Sequence, residues 1–229
     1  MDYVWVVHGE EYAQQCADSI RSLDEESWPD CYVYVDQRYE CLEELTEQEV
    51  IEGYHDQPFM LMNVLCQVAH LAGMDEGDLV CFLDSDVLQV DHPVLPEGDW
   101  DIAPTWRDDM GEFSDLMPYN YGVIFAKKTV QSLLGWAWMA DNIFNQQPKN
   151  LKWYGNQVAL RELCGAPEKD GSEVIREHGY FNIKIQSIPC QTHNYTPEAE
   201  DEDLTGKYFI HLKGDRKGMW DHYKGRVAA

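Results

Sequence analysis

The sequence has no long apolar run, few positive charges and no paired-cysteine motif. No apolar stretch approaches the roughly 20 residues that span a bilayer, so hydropathy indicates no membrane-spanning segment. Lysine and arginine number 17 against 42 acidic residues, a net charge of −25, and such a surface repels nucleic acid and anionic membranes. The seven cysteines include no Cys-x-x-Cys pair, so we expect reduced core thiols rather than a disulfide framework or a zinc site. The segment MDYVWVVHGEE lacks the features of a signal peptide, and we expect a cytoplasmic protein.

Enough apolar residues are present to build a substantial core, since 44% of the chain is hydrophobic and 12% is aromatic. In the first half, apolar runs (YVWVV, CYVYVD, LVCFLDSD) alternate with segments of helical spacing (EEYAQQCADSIRSL, PFMLMNVLCQVAHLAG). Alternation of strand and helix is typical of a parallel sheet with crossover helices. The sequence therefore predicts an α/β fold that begins with a Rossmann-like half.

The pattern changes beyond Asp86. The segments DIAPTW, YGVIFA, FNIKIQSIP and KYFIHLKG predict further strands, and TVQSLLGWAWMADNIF and GNQVALRELCG predict helices. No internal repeat and no long linker separates these segments. We therefore expect one domain over residues 1–229, with a Rossmann-like half at 1–90 and a mixed half at 91–229.

Two carboxylates stand at the end of the third predicted strand, in the segment CFLDSDVLQV. Burying a carboxylate is costly unless a cation or hydrogen bonds compensate its charge. Asp84 and Asp86 are separated by one residue, so both can turn toward a single Mg²⁺ or Mn²⁺ ion. Open parallel sheets bind ligands at the carboxyl ends of their strands, which favours a metal site over an exposed turn.

A second group of candidate ligands lies in the segment HLKGDRKGMW, residues 211–220. His211 supplies an imidazole, a common metal ligand, Gly214 permits close approach to a phosphate, and Lys217 supplies a compact positive charge. From Lys207 onward six basic residues face only two acidic ones, so we interpret this basic tail as an anion site.

The segments FLDSDV and HLKGDRKGMW together resemble motifs of the retaining glycosyltransferases of family 8, the glycogenin and galactosyltransferase type. That family has the GT-A fold, a mixed and mostly parallel central sheet flanked by helices. It carries a strand-borne Asp-x-Asp and a C-terminal His-x-x-Gly-x-x-Lys-Pro-Trp motif, whose Pro-Trp ending is altered here to Gly-Met-Trp. The segments EYAQQCADSIRSL, YNYGVIF and GNQVAL are similar to other family segments in the same order.

The resemblance implies that residues 1–90 form a nucleotide-binding half, and that residues 91–229 form a donor-sugar and acceptor half with the C-terminal metal and diphosphate motif. It also implies roles for individual residues of this chain. Asp84, Asp86 and His211 bind the metal, and Gly214 and Lys217 hold the diphosphate. In the same set, Tyr12 stacks on the base, and Asn120 and Gln157 face the donor sugar. The acidic residue that the family carries before the glutamine is Asn156 in this chain, which removes a negative charge near the anomeric carbon.

The implied activity is a metal-dependent transfer of a sugar from a nucleotide diphosphate to an acceptor hydroxyl, with retention of configuration. The resemblance implies Mn²⁺ or Mg²⁺ as the cofactor and a UDP-sugar as the donor. We expect a small glycan or a protein as the acceptor, because the net charge of −25 disfavours a hydroxymethylated base in DNA.

Two other interpretations of the same residues stay open at the sequence level. FLDSDVL also resembles the Asp-x-Asp of haloacid-dehalogenase-type phosphatases, although those enzymes usually carry it on their first strand. A domain with these ligands could also bind a sugar nucleotide without transferring the sugar.

Overall fold

The structure is a computed structural model that describes residues 1–43, 45, 49–52, 58–107, 115–145 and 154–227. Part of the acidic connection that follows the second predicted strand lies outside these residues. No helix within the described ranges is long and apolar enough to cross a membrane.

The described strands form a large sheet and a separate two-stranded ribbon. The strands are β1 (Asp2–Val7), β2 (Cys31–Val35), β3 (Glu49–Glu52), β4 (Leu79–Leu83), β5 (Val87–Gln89), β6 (Ile102–Trp106), β7 (Tyr119–Lys127), β8 (Glu173–His178), β9 (Phe181–Gln186), β10 (Ile188–Pro189) and β11 (Phe209–His211). In the large sheet the order is β3-β2-β1-β4-β7-β6-β9-β8, and β10 pairs with β6. The ribbon is β5 with β11.

The large sheet is mixed and mostly parallel, as predicted. β1 pairs in parallel with β2 and β4, and β2 pairs in parallel with β3. β7 is antiparallel to both of its neighbours, β4 and β6, and β8 is antiparallel to β9. The predicted α/β class is therefore confirmed, and the antiparallel pairs follow the point where the sequence pattern changes.

Helices cover both faces of the sheet. They are α1 (Glu10–Arg21), α2 (Glu40–Glu43), α3 (Phe59–Gly73), α4 (Val130–Phe144), α5 (Gly155–Cys164), α6 (Cys190–His193) and α7 (Trp220–Val227). Alternate residues of β1 point to opposite faces, so Trp5 packs in the core beneath α1, and Val6 packs in the core formed with α3, α4 and α5. Because both faces are buried, the strand is apolar from Tyr3 to Val7, as expected for a parallel sheet.

A third, smaller core joins the ribbon to α7. It contains Leu88 from β5, Ile210 from β11, and Trp220 and Tyr223 from α7. α7 is also tied to α1, since the indole N–H of Trp220 donates to a carboxylate oxygen of Asp18 at 3.0 Å. The ribbon and the C-terminal segment are therefore held against the sheet near the end of β4.

Candidate functional site

The two aspartates lie at the carboxyl end of β4, in a tight turn between β4 and β5. The backbone N–H of Asp84 donates to the carbonyl of Gly122 at 3.0 Å, which joins the turn to the neighbouring strand β7. The N–H of Val87 donates back to the carbonyl of Asp84 at 3.3 Å and closes the turn. The apolar run therefore ends where predicted, at the carboxyl end of β4, beside a cavity.

His211 is brought to the aspartates by the ribbon. In the antiparallel register His211 stands opposite Val87, and the N–H of Leu212 donates to the carbonyl of Asp86 at 2.9 Å. Nε2 of His211 lies 3.0 Å from Oδ1 of Asp86 and 3.8 Å from Oδ2 of Asp84. One ligand atom from each of the three residues lies within 4.8 Å of the others. The structure thus brings together the three predicted metal ligands.

Gly122 makes room for the imidazole. A Cβ atom at position 122 would lie 2.4 Å from both Cε1 and Nδ1 of His211, closer than real carbon contacts permit. The glycine of the YGV segment is therefore required by the close approach of a side chain from another strand, rather than by a turn.

The two carboxyl groups differ in their electrostatic surroundings. Burial raises the pKa of Asp84, and the negative charge of Asp86 raises it further. The Asp84 side chain keeps 37% of its surface exposed, so water relieves part of this burial effect. Burial also opposes ionisation of Asp86, but the charge and hydrogen bond of His211, together with Lys217, hold the pKa of Asp86 below its ordinary value. The pair carries negative charge that a cation would stabilise.

The donor set fits a divalent cation of the Mg²⁺ or Mn²⁺ type. Two carboxylates supply hard oxygen ligands, and one imidazole nitrogen completes a group of three at a strand edge. The carboxylate oxygens and the ring nitrogen come from a turn and a paired strand, so they are held in position by backbone hydrogen bonds.

Lys217 is the predicted phosphate-binding residue that lies closest to these carboxylates. Its Nζ is 3.6 Å from Oδ2 of Asp86 and 3.3 Å from the side-chain oxygen of Gln15. The same ammonium group lies 4.4 Å from the ring centroid of Tyr12. Gly214 begins the 3₁₀ helix Gly214–Met219 with a φ of +59°, a left-handed conformation that favours glycine.

Four of the six basic residues in the tail contact groups away from the two aspartates. These contacts are Lys207 with the Tyr195 ring, Arg216 with Glu198, Lys224 with Asp18 and Asp221, and Arg226 with the backbone carbonyls of Glu200 and Glu202. The interpretation of the whole tail as an anion site is therefore too broad, because only Lys213 and Lys217 act on the two aspartates.

Two cations beside the site were not identified from the sequence. Burial and the nearby charge of Arg107 lower the pKa of Lys213 to about 8, and Asp84 and Asp86 partly offset this shift. Burial likewise lowers the pKa of Arg107, and Asp84 opposes that change. Arg107 belongs to no recognisable motif, and Lys213 lies within the His211–Trp220 segment at a position to which that motif assigns no role, so the fold places the two cations together.

A cavity of about 330 Å³ opens beside the aspartates. Its lining residues are Val6, His8, Tyr12, Phe59, Met60, Asn63, Asp84, Ser85, Asp86, Tyr121, Asn156 and Gln157. Tyr12 is 43% exposed although it belongs to the apolar stripe of α1, so its ring is available to a ligand and does not fill the core. The cavity thus combines a partly exposed aromatic ring with the carboxylate pair.

The predicted amide residues occupy different parts of this region. Asn156 is buried, and its Oδ1 accepts from the N–H of Gln157 at 2.9 Å. Oε1 of Gln157 accepts from the guanidinium of Arg107 at 2.8 Å, which leaves the Gln157 amide hydrogens as donors. Asn120 is buried against His211, with Nδ2 3.4 Å from Nδ1 of the ring, and does not line the cavity.

Asn63 is a further polar group of the cavity that the sequence pattern did not reveal. It lies on α3 and is only 4% exposed, and its Oδ1 accepts no hydrogen bond from any described residue. A buried carbonyl oxygen without a donor is costly, which makes this atom a candidate acceptor for a ligand. Its only signal in the sequence is a polar residue in a mostly apolar helix that also contains Gln67 and His70.

No protein-family model matches this chain, and none of the curated proteins matches it in sequence. Solved structures do match. The galactosyltransferase LgtC, crystallised with donor and acceptor sugar analogues, is 14% identical with a TM-score of 0.60, and the alignment covers 100% of this chain and 95% of LgtC.

Two other glycosyltransferases match over nearly the whole chain. A glycosyltransferase involved in glycosylation of the major capsid of PBCV-1 is 13% identical with a TM-score of 0.58, covering 99% of this chain and all of that one. The bifunctional glycosyltransferase WbbM is 12% identical with a TM-score of 0.63, covering this entire chain and 49% of WbbM. At such low identity these likenesses establish the architecture. The chain has the GT-A fold of these glycosyltransferases, as the resemblance of its sequence motifs implied.

Proposed function

We propose that this protein is a metal-dependent glycosyltransferase that moves a sugar from a nucleotide diphosphate, UDP by resemblance, to an acceptor hydroxyl with retention of configuration. The observation that carries the proposal is the convergence of Asp84, Asp86 and His211 beside the 330 Å³ cavity. The GT-A fold supports it, because LgtC, which has that fold, is a galactosyltransferase crystallised with donor and acceptor sugar analogues.

In this proposal the diphosphate lies between the metal site and Lys217. In this proposal Asp84, Asp86 and His211 hold Mn²⁺ or Mg²⁺. The bound ion supplies Lewis-acid stabilisation of the charge that grows on the departing diphosphate. Lys217 donates to the phosphate oxygens, and the backbone N–H at Gly214 approaches them closely. Removal of one such interaction typically lowers the rate by a factor of roughly 10²–10³.

The sugar and the base lie on opposite sides of the diphosphate. The exposed ring of Tyr12 stacks on the base. Gln157 donates from its amide to a sugar hydroxyl while Arg107 holds its oxygen, and Asn63 accepts from another hydroxyl. One solved structure of LgtC is an active-site mutant in which glutamate replaces a glutamine. This supports a role for a glutamine such as Gln157 at the reaction centre.

Asn156 and Asn120 complete the predicted site. Asn156 occupies the position where the family carries an acid, and it lines the cavity as a neutral amide. Asn120 acts from behind His211 rather than from the cavity wall. The acceptor is a small glycan or a protein, because a net charge of −25 opposes binding to DNA.

The phosphatase interpretation is not favoured, since the solved structures that match are glycosyltransferases. Binding of a sugar nucleotide without transfer stays as the second candidate, because Asn156 replaces the expected acid.

Thermal unfolding with a panel of nucleotide sugars, each with Mn²⁺, Mg²⁺ or EDTA, tests the proposal. A ligand at 100 times its dissociation constant stabilises the protein by about 2.7 kcal/mol, or roughly 5–10 °C for a chain of this size. We expect the shift with a UDP-sugar in Mn²⁺, its loss in EDTA, and its loss in Asp86→Asn. The control Asp99→Asn changes an exposed carboxylate and keeps the shift.

The identified donor then serves in a transfer assay with glycan and protein acceptors. Transfer of the sugar supports the enzyme, whereas tight binding without transfer or hydrolysis favours the sugar-nucleotide-binding candidate. No thermal shift with any nucleotide sugar in the presence of metal contradicts both.

A further inference from the structure

We propose that Asn194 is a positioning residue that holds the His211 ring by its Nδ1–H, so that Nε2 faces Asp84 and Asp86. This inference rests on the metal site of the proposed function. It concerns residues outside the recognised motifs, in the short turn after α6. Asn194 and Thr105 carry the argument, and both are fully buried behind the histidine.

The argument begins at the hydroxyl of Thr105. Its Oγ1 lies 3.0 Å from the carbonyl oxygens of both Asn120 and Val123. A carbonyl oxygen can only accept, so the single hydroxyl proton of Thr105 is donated to one of these two atoms. Oγ1 is therefore an acceptor toward Asn194, whose side-chain nitrogen lies 2.9 Å away.

This fixes the orientation of the Asn194 amide. With Nδ2 donating to Thr105, Oδ1 is the atom that faces the histidine, 3.0 Å from Nδ1 of His211. The flipped amide would place its oxygen against Thr105 and its nitrogen against the ring. Thr105 would then have to donate its proton to Asn194, and the buried carbonyl that had accepted this proton would lose that hydrogen bond.

The orientation of Asn194 fixes the tautomer of His211. Because Oδ1 can only accept, Nδ1 of His211 carries a proton and donates it to Asn194. The other neighbour of Nδ1 is the side-chain nitrogen of Asn120 at 3.4 Å, whose own oxygen accepts from the N–H of Gly122. That nitrogen is a donor and cannot replace the acceptor.

The consequence falls on the opposite ring nitrogen. With Nδ1 occupied by its proton, Nε2 is the atom that can bind a metal, and Nε2 is the atom that faces the two aspartates. Outer hydrogen bonds of this kind orient histidine ligands, and their loss typically lowers metal affinity by roughly 10–100-fold. The chain of hydrogen bonds therefore runs from a sheet carbonyl, through Thr105 and Asn194, to the metal side of the ring.

The affinity for Mn²⁺ alone, measured on the full chain by electron paramagnetic resonance, tests this role. We expect Asn194→Ala to bind Mn²⁺ about 10–100-fold more weakly, and Asn194→Asp, which keeps an acceptor for Nδ1–H, to stay within about threefold of the unmodified protein. Thr105→Val removes the hydroxyl at nearly constant volume, and we expect a loss in the same direction. Ser187→Ala is the matched control, since it removes a buried hydroxyl that contacts Tyr119 and not the site.

A second readout does not depend on metal affinity. The ¹⁵N spectrum of the histidine rings, assigned with His211→Gln, is expected to show a protonated Nδ1 at His211 with and without Mg²⁺. An unprotonated Nδ1 overturns the inference. So does unchanged Mn²⁺ affinity in a folded Asn194→Ala protein, a result that leaves the proposed function intact. If the unmodified protein binds no Mn²⁺, the proposed function fails, and the ring spectrum alone decides the role of Asn194.

Discussion

The ammonium group of Lys217 lies 4.4 Å above the ring of Tyr12, the same ring that is proposed to stack on the nucleotide base. The group also lies 3.6 Å from a carboxylate oxygen of Asp86. Lys217 therefore bridges the base side and the metal side of the cavity. In the proposed binding mode, the diphosphate of the nucleotide lies between these two contacts, within reach of the lysine.

Lys217→Ala is expected to weaken the binding of UDP far more than that of uridine, because only UDP carries the negatively charged diphosphate that the lysine is proposed to bind. A hydrogen bond between charged groups contributes about 1.5–3 kcal/mol, which corresponds to roughly 10–150-fold in affinity. Calorimetric titration with both ligands measures the difference. Lys207→Ala is the control, since Lys207 lies over the Tyr195 ring at 4.3 Å in a comparable contact on another part of the surface. Equal losses for UDP and uridine contradict the assignment.

Gly122→Ala is expected to abolish Mn²⁺ binding while the protein still folds. The added methyl group would lie 2.4 Å from the His211 ring and displace it from the aspartates. Gly73→Ala is the matched control, because a Cβ at position 73 meets no atom within 4 Å. Circular dichroism checks the fold, and Mn²⁺ titration checks the site. Wild-type Mn²⁺ affinity in Gly122→Ala shows that the position of the ring does not matter.

Gln157→Ala is expected to lower turnover by about 10²-fold with little change in the dissociation constant of UDP. The residue lines the cavity, and in the proposed binding mode it donates to the sugar; removal of one such donor typically lowers the rate by this factor. Steady-state kinetics with the identified donor, together with UDP titration, separates the two effects. A parallel loss of UDP affinity places Gln157 at the nucleotide instead.

His193 gives a prediction for stability rather than for the site. Burial lowers the pKa of His193, although its hydrogen bond to the carbonyl of Val94 opposes this change. As the pH falls through about 6.5, the unfolded chain takes up a proton that the folded protein binds less readily, so the free energy of unfolding decreases. We expect a smaller decrease between pH 7 and pH 5 in His193→Gln, measured by urea unfolding in EDTA. Parallel curves for the two proteins contradict this origin.

The strand-end carboxylates could be predicted because they depend on local sequence. An apolar run of β4 length followed by Asp-Ser-Asp indicates a buried strand that exits at a ligand-binding edge. The pairing of β5 with β11 could not be predicted in the same way. Each strand has three residues, and the two lie more than a hundred residues apart, so no pattern in either segment reveals its partner. His211 was a candidate ligand by residue type, but only the family resemblance grouped it with the two aspartates.

Other elements were missed for identifiable reasons. β8 has the pattern Glu-Val-Ile-Arg-Glu-His and lies at the sheet edge with half-exposed residues, so it lacks the apolar signal of a core strand. β3 lies within a stretch that reads as an acidic connection. The partners of His211 and Gln157, namely Asn194 and Arg107, are single polar residues whose roles arise only from tertiary contact.

The strands of the large sheet all precede the third proposed metal ligand, His211, in the chain, so the ribosome synthesises them first. All strands of the large sheet lie within residues 2–189, whereas β11 begins at Phe209. A ribosome therefore releases the whole sheet, with Asp84 and Asp86 at its edge, before the histidine that completes the group. The proposed metal site can therefore be assembled only after the strands of the sheet have been synthesised, and a chain cut after residue 189 would lack the third ligand.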